Sequence, residues 1–196
     1  MERKIFYKIQ VLTLLFLIQA TASRGQQVAL RNNLLYDATL TPNLGIEMRL
    51  DSTWSAGLRV GLNAWDIDKS TNKKWRHVLV APNVRHYLND TIFHKGYIEA
   101  DFIYSHFNVG NTRIPFNLYS GVKDRRLQGD LIALGCRYGY SWILSRTWRL
   151  EAEAGIAVGY AWFDEYDCLT CGDYLGKDNR LFLLPLLGLN FVYIIK

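Results

Sequence analysis

Hydrophobic and polar residues alternate with a period of two along most of this chain. The clearest run is Trp148 to Phe163. Trp148, Leu150, Ala152, Ala154, Ile156, Val158, Tyr160 and Trp162 share one parity, and Arg149, Glu151, Glu153, Gly155, Ala157, Gly159, Ala161 and Phe163 share the other. Successive side chains of a strand point to opposite faces, so the run predicts one strand with an apolar face. Twelve steps separate Trp148 from Tyr160, about 40 Å at roughly 3.3 Å per residue. Ordinary strands average only about five or six residues. Tilted by about 45°, the run projects to roughly 28 Å, close to the apolar band of a transmembrane barrel with aromatic residues at both borders.

The preceding run behaves alike: Ile132, Leu134, Cys136, Tyr138, Tyr140 and Trp142 alternate with Leu131, Ala133, Gly135, Arg137, Gly139 and Ser141. The link Ser145-Arg146-Thr147 is so short that Trp142 and Trp148 fall at the same border. Shorter alternations over 43–50, 54–64, 78–85 and 97–104 predict four more strands. Leu181 to Ile195 is apolar at nearly every position, which leaves its parity undetermined. Val28 to Ala38 is the weakest run, because Asn32 shares parity with Leu30, Leu34 and Tyr36 and implies a bulge or an outward-facing amide. Pro82 lacks a ladder donor and sits awkwardly in a closed sheet.

Eight strands is an even number, as bacterial single-chain barrels have. The expected fold is therefore all-β, an eight-stranded antiparallel up-and-down transmembrane barrel with a filled polar lumen. Its inner turns fall at 51–53, 89–95 and 145–147, and its outer loops at 39–42, 65–75, 109–128 and 164–179. The expected aromatic girdle is Trp54, Tyr138, Tyr140, Trp142, Trp148, Tyr160 and Trp162.

The N-terminus sets the compartment. Arg3, Lys4 and Lys8 precede an apolar run from Ile9 to Ala20, and small residues follow, with candidate cuts after Ala22 and after Gly25. Residues 1–25 read as a cleaved secretory leader and 26–196 as one barrel domain, in the outer membrane of a Gram-negative bacterium. The leader carries Arg3, Lys4, Lys8 and Arg24 against Glu2, so the +5 of the whole chain falls to +2 in the remainder. The basic charge belongs largely to the leader, and nucleic acid is not an expected partner.

On this register the inward positions hold Arg49, Arg59, Arg85, Arg137 and Arg149 against Glu47, Glu99, Asp101, Glu151 and Glu153. Charges inside so narrow a lumen have to be paired and hydrogen-bonded. An eight-stranded barrel is only wide enough for side chains to fill it. The balanced set reads as an internal salt-bridge plug rather than a pore or a carboxylate pair for catalysis.

Other chemistry is sparse. Cys168-Leu-Thr-Cys171 in the last outer loop reads most simply as a local disulfide in an oxidising compartment; a metal or intermolecular contact and a redox pair are the alternatives weighed against it. Cys136 reads as a small outward-facing hydrophobe. Ser105-His106 invites comparison with a lipid-modifying enzyme of the outer leaflet, but neighbours in a strand point to opposite faces. Arg113, Lys123, Arg125 and Arg126, with Phe116 and Tyr119 among them, suit lipopolysaccharide phosphates or a glycan, against the plainer reading of a solvated loop. No cofactor and no metal are expected.

Several stretches are also familiar: Leu30-Arg-Asn-Asn-Leu-Leu-Tyr-Asp37, Thr41-Pro-Asn-Leu-Gly-Ile-Glu47, Asn72-Lys-Lys-Trp-Arg-His77, His106-Phe-Asn-Val-Gly110, Gly139-Tyr-Ser-Trp-Ile-Leu-Ser145, Gly155 to Tyr160, and Tyr193-Ile-Ile-Lys196. Together they resemble a family of Bacteroidota outer-membrane proteins, domain of unknown function 3575. The resemblance implies an outer-membrane barrel and a link to fimbria-like surface proteins, and it supplies no catalytic or binding residues. The Asn-Leu-Leu-Tyr-Asp motif falls where the alternation is weakest, so it is expected to serve something besides barrel wall. The function expected is a non-enzymatic barrel whose outer loops anchor, assemble or bind a surface component, with membrane lipids and lipopolysaccharide as partners. A lipid A-modifying enzyme and a small pore are the competing readings.

Overall fold

A closed ladder leaves no strand edge with unmet backbone N–H and C=O groups, which is why alternating strands of this length end up in a ring. The computed structural model describes residues 27–68, 73–112, 122, 125–167 and 172–195. The expected leader (1–25), Arg113, Lys123, Cys168 and Cys171 lie outside the described residues. The strands, in chain order, are β1 (Val28–Asn33), β2 (Asn43–Arg49), β3 (Trp54–Asn63), β4 (Asp66–Asp68), β5 (Lys73–Tyr87), β6 (Lys95–Gly110), β7 (Arg125–Ile143), β8 (Trp148–Asp167) and β9 (Tyr174–Ile195). A one-turn helix α1 (Leu34–Ala38) follows β1.

Eight of these strands form a ring of antiparallel pairs, the number that the alternation predicts. Neighbours run β1, β2, β3, β5, β6, β7, β8, β9, and β9 returns to β1. β4 only prolongs the β3–β5 hairpin. A circuit across the ladders from Val28 passes Met48, Ala56, Val84, Ala100, Cys136, Ile156 and Pro185, reaching β9 ten residues short of Ile195, which Val28 itself faces. That stagger over eight strands tilts them by about 40°.

One expected strand end and three expected loops are corrected. The first strand stops at Asn33 instead of Ala38, because Asn33 caps α1, its side chain accepting from Leu35 N at 3.0 Å. The loops expected at 65–75, 109–128 and 164–179 give up residues to strands: 66–68 and 73–75 in the first, 109–110 and 125–128 in the second, 164–167 and 174–179 in the third. Ladder bonds are made by backbone, so polar side chains beyond the apolar band do not end them. Tyr138, expected in the girdle, stands two residues inward of Tyr140 along β7 and pairs with Ile98 and Ala154. Its hydroxyl passes over Gly96, towards the turn end.

Outward positions are apolar and exposed, among them Leu58, Val60, Leu134, Ile156 and Leu187. Trp54, Trp142 and Trp148 stand at the short-turn end. There Trp148 stacks on Phe191 at 4.7 Å and Tyr140 lies 4.9 Å from Trp142. Tyr160 and Trp162 mark the long-loop end. Pro82, in β5, pairs with Leu58 of β3, while the β5–β6 register has no pairing between Val80 and Asn83.

The interior is layered. At the turn end Phe93, held at φ +58, tucks into a cluster with Ala29, Tyr87, Tyr97, Val192 and Ile194. Towards the loop end Ala81, Ile103, Ala133, Ala157 and Leu186 form a second apolar layer. Charged side chains fill the space between.

Candidate functional site

Alternation aims one residue in two inward, and the tilt brings inward residues of non-adjacent strands to one level. Arg85 is the hub. Its Nε donates to Glu99, Nη1 lies 3.1 Å from Glu151 Oε2, and Nη2 lies 3.1 Å from Glu153 Oε2. Arg59 reaches Glu99 at 2.7 Å, Asp101 at 2.5 Å and Glu153 at 3.1 Å. Arg137 reaches Asp101 at 2.7 Å and Glu153 at 3.1 Å. Arg31 pairs with Glu47 at 3.2 Å and with Glu151. Hydroxyls complete the lattice: Tyr97 donates to Glu153 Oε2 at 3.0 Å, while Tyr87 and Ser55 donate to Glu47 Oε1 at 2.9 and 2.5 Å. The Arg85 guanidinium also lies 4.2 Å over the Tyr97 ring. Gly135 and Gly139 line this level because Asp101 and Tyr97 occupy the space that a Cβ would need. Every charge in the lattice has several partners, the condition for holding charge in a low-dielectric interior.

Two members of the expected set do not belong. Arg49 Nε donates to Asp51 O at 2.8 Å, and Arg149 donates to Phe93 O, Ser145 O and Trp148 O. Both lie at the turn end, beyond reach of the carboxylates, and satisfy backbone carbonyls instead. Arg31, absent from the expected set, takes a place in the lattice. The balance is thus four guanidinium groups to five carboxylates among the described residues. Its signal was present: Ala29, Arg31 and Asn33 oppose Val28, Leu30 and Asn32 once the strand is ended at Asn33. Tyr87, Tyr97 and Ser55 share the inward parity as well.

A second feature sits where β1 ends. Asn43 stands in for a strand: its Oδ1 accepts from Asn33 N at 2.7 Å and its Nδ2 donates to Asn33 O at 3.0 Å. Asn32 is the outward-facing amide that the alternation implied. It donates to Asn43 O at 3.1 Å and to Asp37 at 3.4 Å, and Asn43 Nδ2 adds a bond to Asp37 at 3.0 Å. Between this knot and the lattice lies a small cleft of about 20 Å³, lined by Asn33, Tyr36, Asn43, Arg59, Leu79 and Ile103 among others. Asn33-Leu-Leu-Tyr-Asp37 therefore ends a strand and floors a cleft. The match to a family model agrees with the resemblance carried by that motif: the model for a protein of unknown function, DUF3575, covers residues 10–195.

This chain belongs to the DUF3575 family. A comparison with curated proteins finds no match. Among solved structures, the DUF3575 chain is similar to the translocator domain of the autotransporter NalP from Neisseria meningitidis, at 15% identity and a TM-score of 0.42, over 96% of this chain and 69% of that one.

The remaining candidates divide by face. Ser105 Oγ donates to Val78 O at 2.7 Å on the inner side, whereas His106 faces outward and meets Asp130 at 2.9 Å. Arg125 pairs with Glu165, and Arg126 turns the other way, its Nη2 donating to Gln128 at 3.1 Å. Cys136 is exposed with a free thiol.

Proposed function

We propose that this chain is a non-enzymatic barrel of the outer membrane of a Gram-negative bacterium, exported by its leader, whose long-loop end anchors, assembles or binds a surface component. The observation that carries the reading is the ion-pair lattice. It crosses the lumen between two apolar layers and makes the barrel a filled post, which leaves its activity to the rim. The outward band supports the membrane setting, since Trp148 to Tyr160 on strands tilted by about 40° spans roughly 30 Å. The non-enzymatic reading is supported by Ser105 and His106 lying on opposite faces. Fimbria-like surface proteins are the partner class to test first.

Two measurements test it. Purified protein inserted into planar bilayers is expected to give no single-channel steps, and a stable conductance overturns the filled post. Cells lacking the protein are expected to lose or misassemble a surface component, and normal display of fimbria-like proteins removes that partner class.

A further inference from the structure

Outward positions at the loop end of β5, β6 and β7 change character beside the aromatic belt. The ladders set nine of them in three rows: Val78, His106, Asp130; then Arg76, Asn108, Gln128; then Lys74, Gly110, Arg126. The first row is level with the belt, because Asp130 faces Trp162 across the β7–β8 ladder. The other two stand two and four residues further out, roughly 5 and 10 Å in height on tilted strands.

The charges in this grid are unequally satisfied. Asp130 accepts from Tyr104 OH at 2.7 Å and meets His106 Nδ1 at 2.9 Å. Arg76 pairs with Asp66 at 2.8 Å. No ion pair engages Lys74 or Arg126 among the described residues. Arg126 is nonetheless held in place, its guanidinium 5.0 Å over the Tyr166 ring and bonded to Gln128 Oε1, its Nε buried without a protein partner. Gly110 permits this pose, since a Cβ there would come within 3.0 Å of Arg126 Cβ. Asn108 donates to the same Gln128 oxygen at 3.3 Å, which leaves the Gln128 amide N–H groups for another acceptor.

We propose that this shelf binds the phosphate of a phosphorylated glycolipid in the surrounding leaflet, with Arg126 and Lys74 as the phosphate ligands. The inference rests on the reading that the long-loop end faces outside. A guanidinium offers five donors in a fixed fork, and Arg126 spends one of them on Gln128. Lys74, in the same row on the far side of Gly110, adds an ammonium whose charge-assisted bonds are the strongest kind available to a phosphate oxygen. Asn108, Gln128 and His106 present amide and imidazole groups at the level of sugar hydroxyls, and Trp162 and Tyr160 lie below, at the level where lipid head groups meet acyl chains.

The test uses the full barrel folded in detergent micelles and titrated with three probes: phosphorylated lipid A, the same lipid A after phosphatase treatment, and inorganic phosphate. Native mass spectrometry reads the lipid retained. Phosphorylated lipid A is expected to bind one to one, with affinity lower by about tenfold or more after phosphatase treatment or in the double variant Lys74→Gln, Arg126→Gln. Arg125→Gln, a change on the other face, is expected to leave binding intact. Equal retention of the phosphatase-treated lipid, or no loss in the double variant with its folded gel mobility intact, overturns the site. Full displacement by millimolar inorganic phosphate overturns the glycolipid assignment in favour of a free anion. Failure of the outer-membrane reading is distinguishable, since it appears in cell fractionation and leaves the micelle titration untouched.

Discussion

The ring has a low side and a tall side. β1, β2 and β3 hold 6, 7 and 10 residues, while β5 to β9 hold 15 to 22. Past Asn190 no described strand pairs with β9 on its β1 side, and α1 with the Asn32–Asn43 knot stands there instead. Pro185 falls in that stretch of β9, where a missing N–H is tolerated as it is on an edge strand. The tall side carries the hydrogen-bonded extensions beyond the belt and the outward shelf on β5–β7. Yet the low side is no mere closure: it sends Arg31, Glu47 and Arg59 into the lattice. The lesson is that wall height and internal bracing are separate. The lattice ties both sides at mid-height, and this frees the rims to differ.

Breaking the lattice at its hub gives the largest expected effect. Arg85→Met on the tall side removes the cation that touches Glu47, Glu99, Glu151 and Glu153. Several carboxylates are left under-compensated in a dry interior, a loss of about 3–5 kcal/mol. The urea midpoint in lipid vesicles should fall, or the heat-modifiable folded band should vanish. Arg31→Met tests whether the low side braces as strongly. Because Arg85 still reaches both Glu47 and Glu151, its expected loss is smaller, about 2–3 kcal/mol. Arg49→Ala removes a cation whose side chain, among the described residues, bonds a backbone carbonyl, and is expected to change stability by no more than about 0.5 kcal/mol. If Arg31→Met behaves like Arg49→Ala, the low side is only a flap.

The runs 43–50 and 54–64 match β2 and β3 closely, so most of the wall was legible in the sequence, and β1 was the strand that was not, for a physical reason. Long strands such as β8 repeat the inside–outside code many times, so one misread residue hardly matters. β1 repeats it three times before Asn33 turns the chain into a helix, and continuing the alternation to Ala38 hid the strand end, though Arg31 lies on the inward parity with Ala29 and Asn33. Arg49 and Arg149 show the complementary error. Parity gives the face of a residue and says nothing of its height, and both sit too near the turns to reach a carboxylate. The rim pattern was hidden too, since Lys74, Asn108 and Arg126 come together only through the registers of two ladders. The Asn-rich motif did signal its own irregularity through the misplaced polarity of Asn32.

The knot at the end of the low side offers a smaller test. Asn43→Ala removes the group that satisfies Asn33 N–H and C=O, at an expected cost of about 1–2 kcal/mol. Hydrogen exchange should quicken at Asn33 and over α1 while β7 and β8 stay protected. Uniform exchange around the ring would mean that the low side has no local stability of its own.

The smallest effect comes from two turns of one design. In Leu50-Asp51-Ser52-Thr53-Trp54, Leu50 and Asp51 N–H both bond Trp54 O, and Asp51 Oδ1 accepts from Thr53 and Trp54 N–H at 2.7 and 2.8 Å. In Leu144-Ser145-Arg146-Thr147-Trp148 the pattern repeats, with Ser145 Oγ accepting from Thr147 and Trp148 N–H at 3.3 and 3.1 Å. The low side therefore uses a charged acceptor where the tall side uses a neutral one. The backbone N–H groups of Thr53 and Trp54 hold the Asp51 carboxyl below the usual carboxylate range. A carboxyl depressed in the folded state stabilises fully above its unfolded value, about pH 4, and loses that contribution as pH falls through the lower folded value. Asp51→Ser is then expected to lower the urea midpoint slightly at pH 7, with the gap to wild type closing in acid, below the unfolded carboxyl's range, as the Asp51 carboxyl titrates. Ser145→Asp should introduce the same pH-dependent increment on the tall side. A gap for Asp51→Ser that persists unchanged in acid would mean that the two turns differ in packing and that the charge of Asp51 adds nothing.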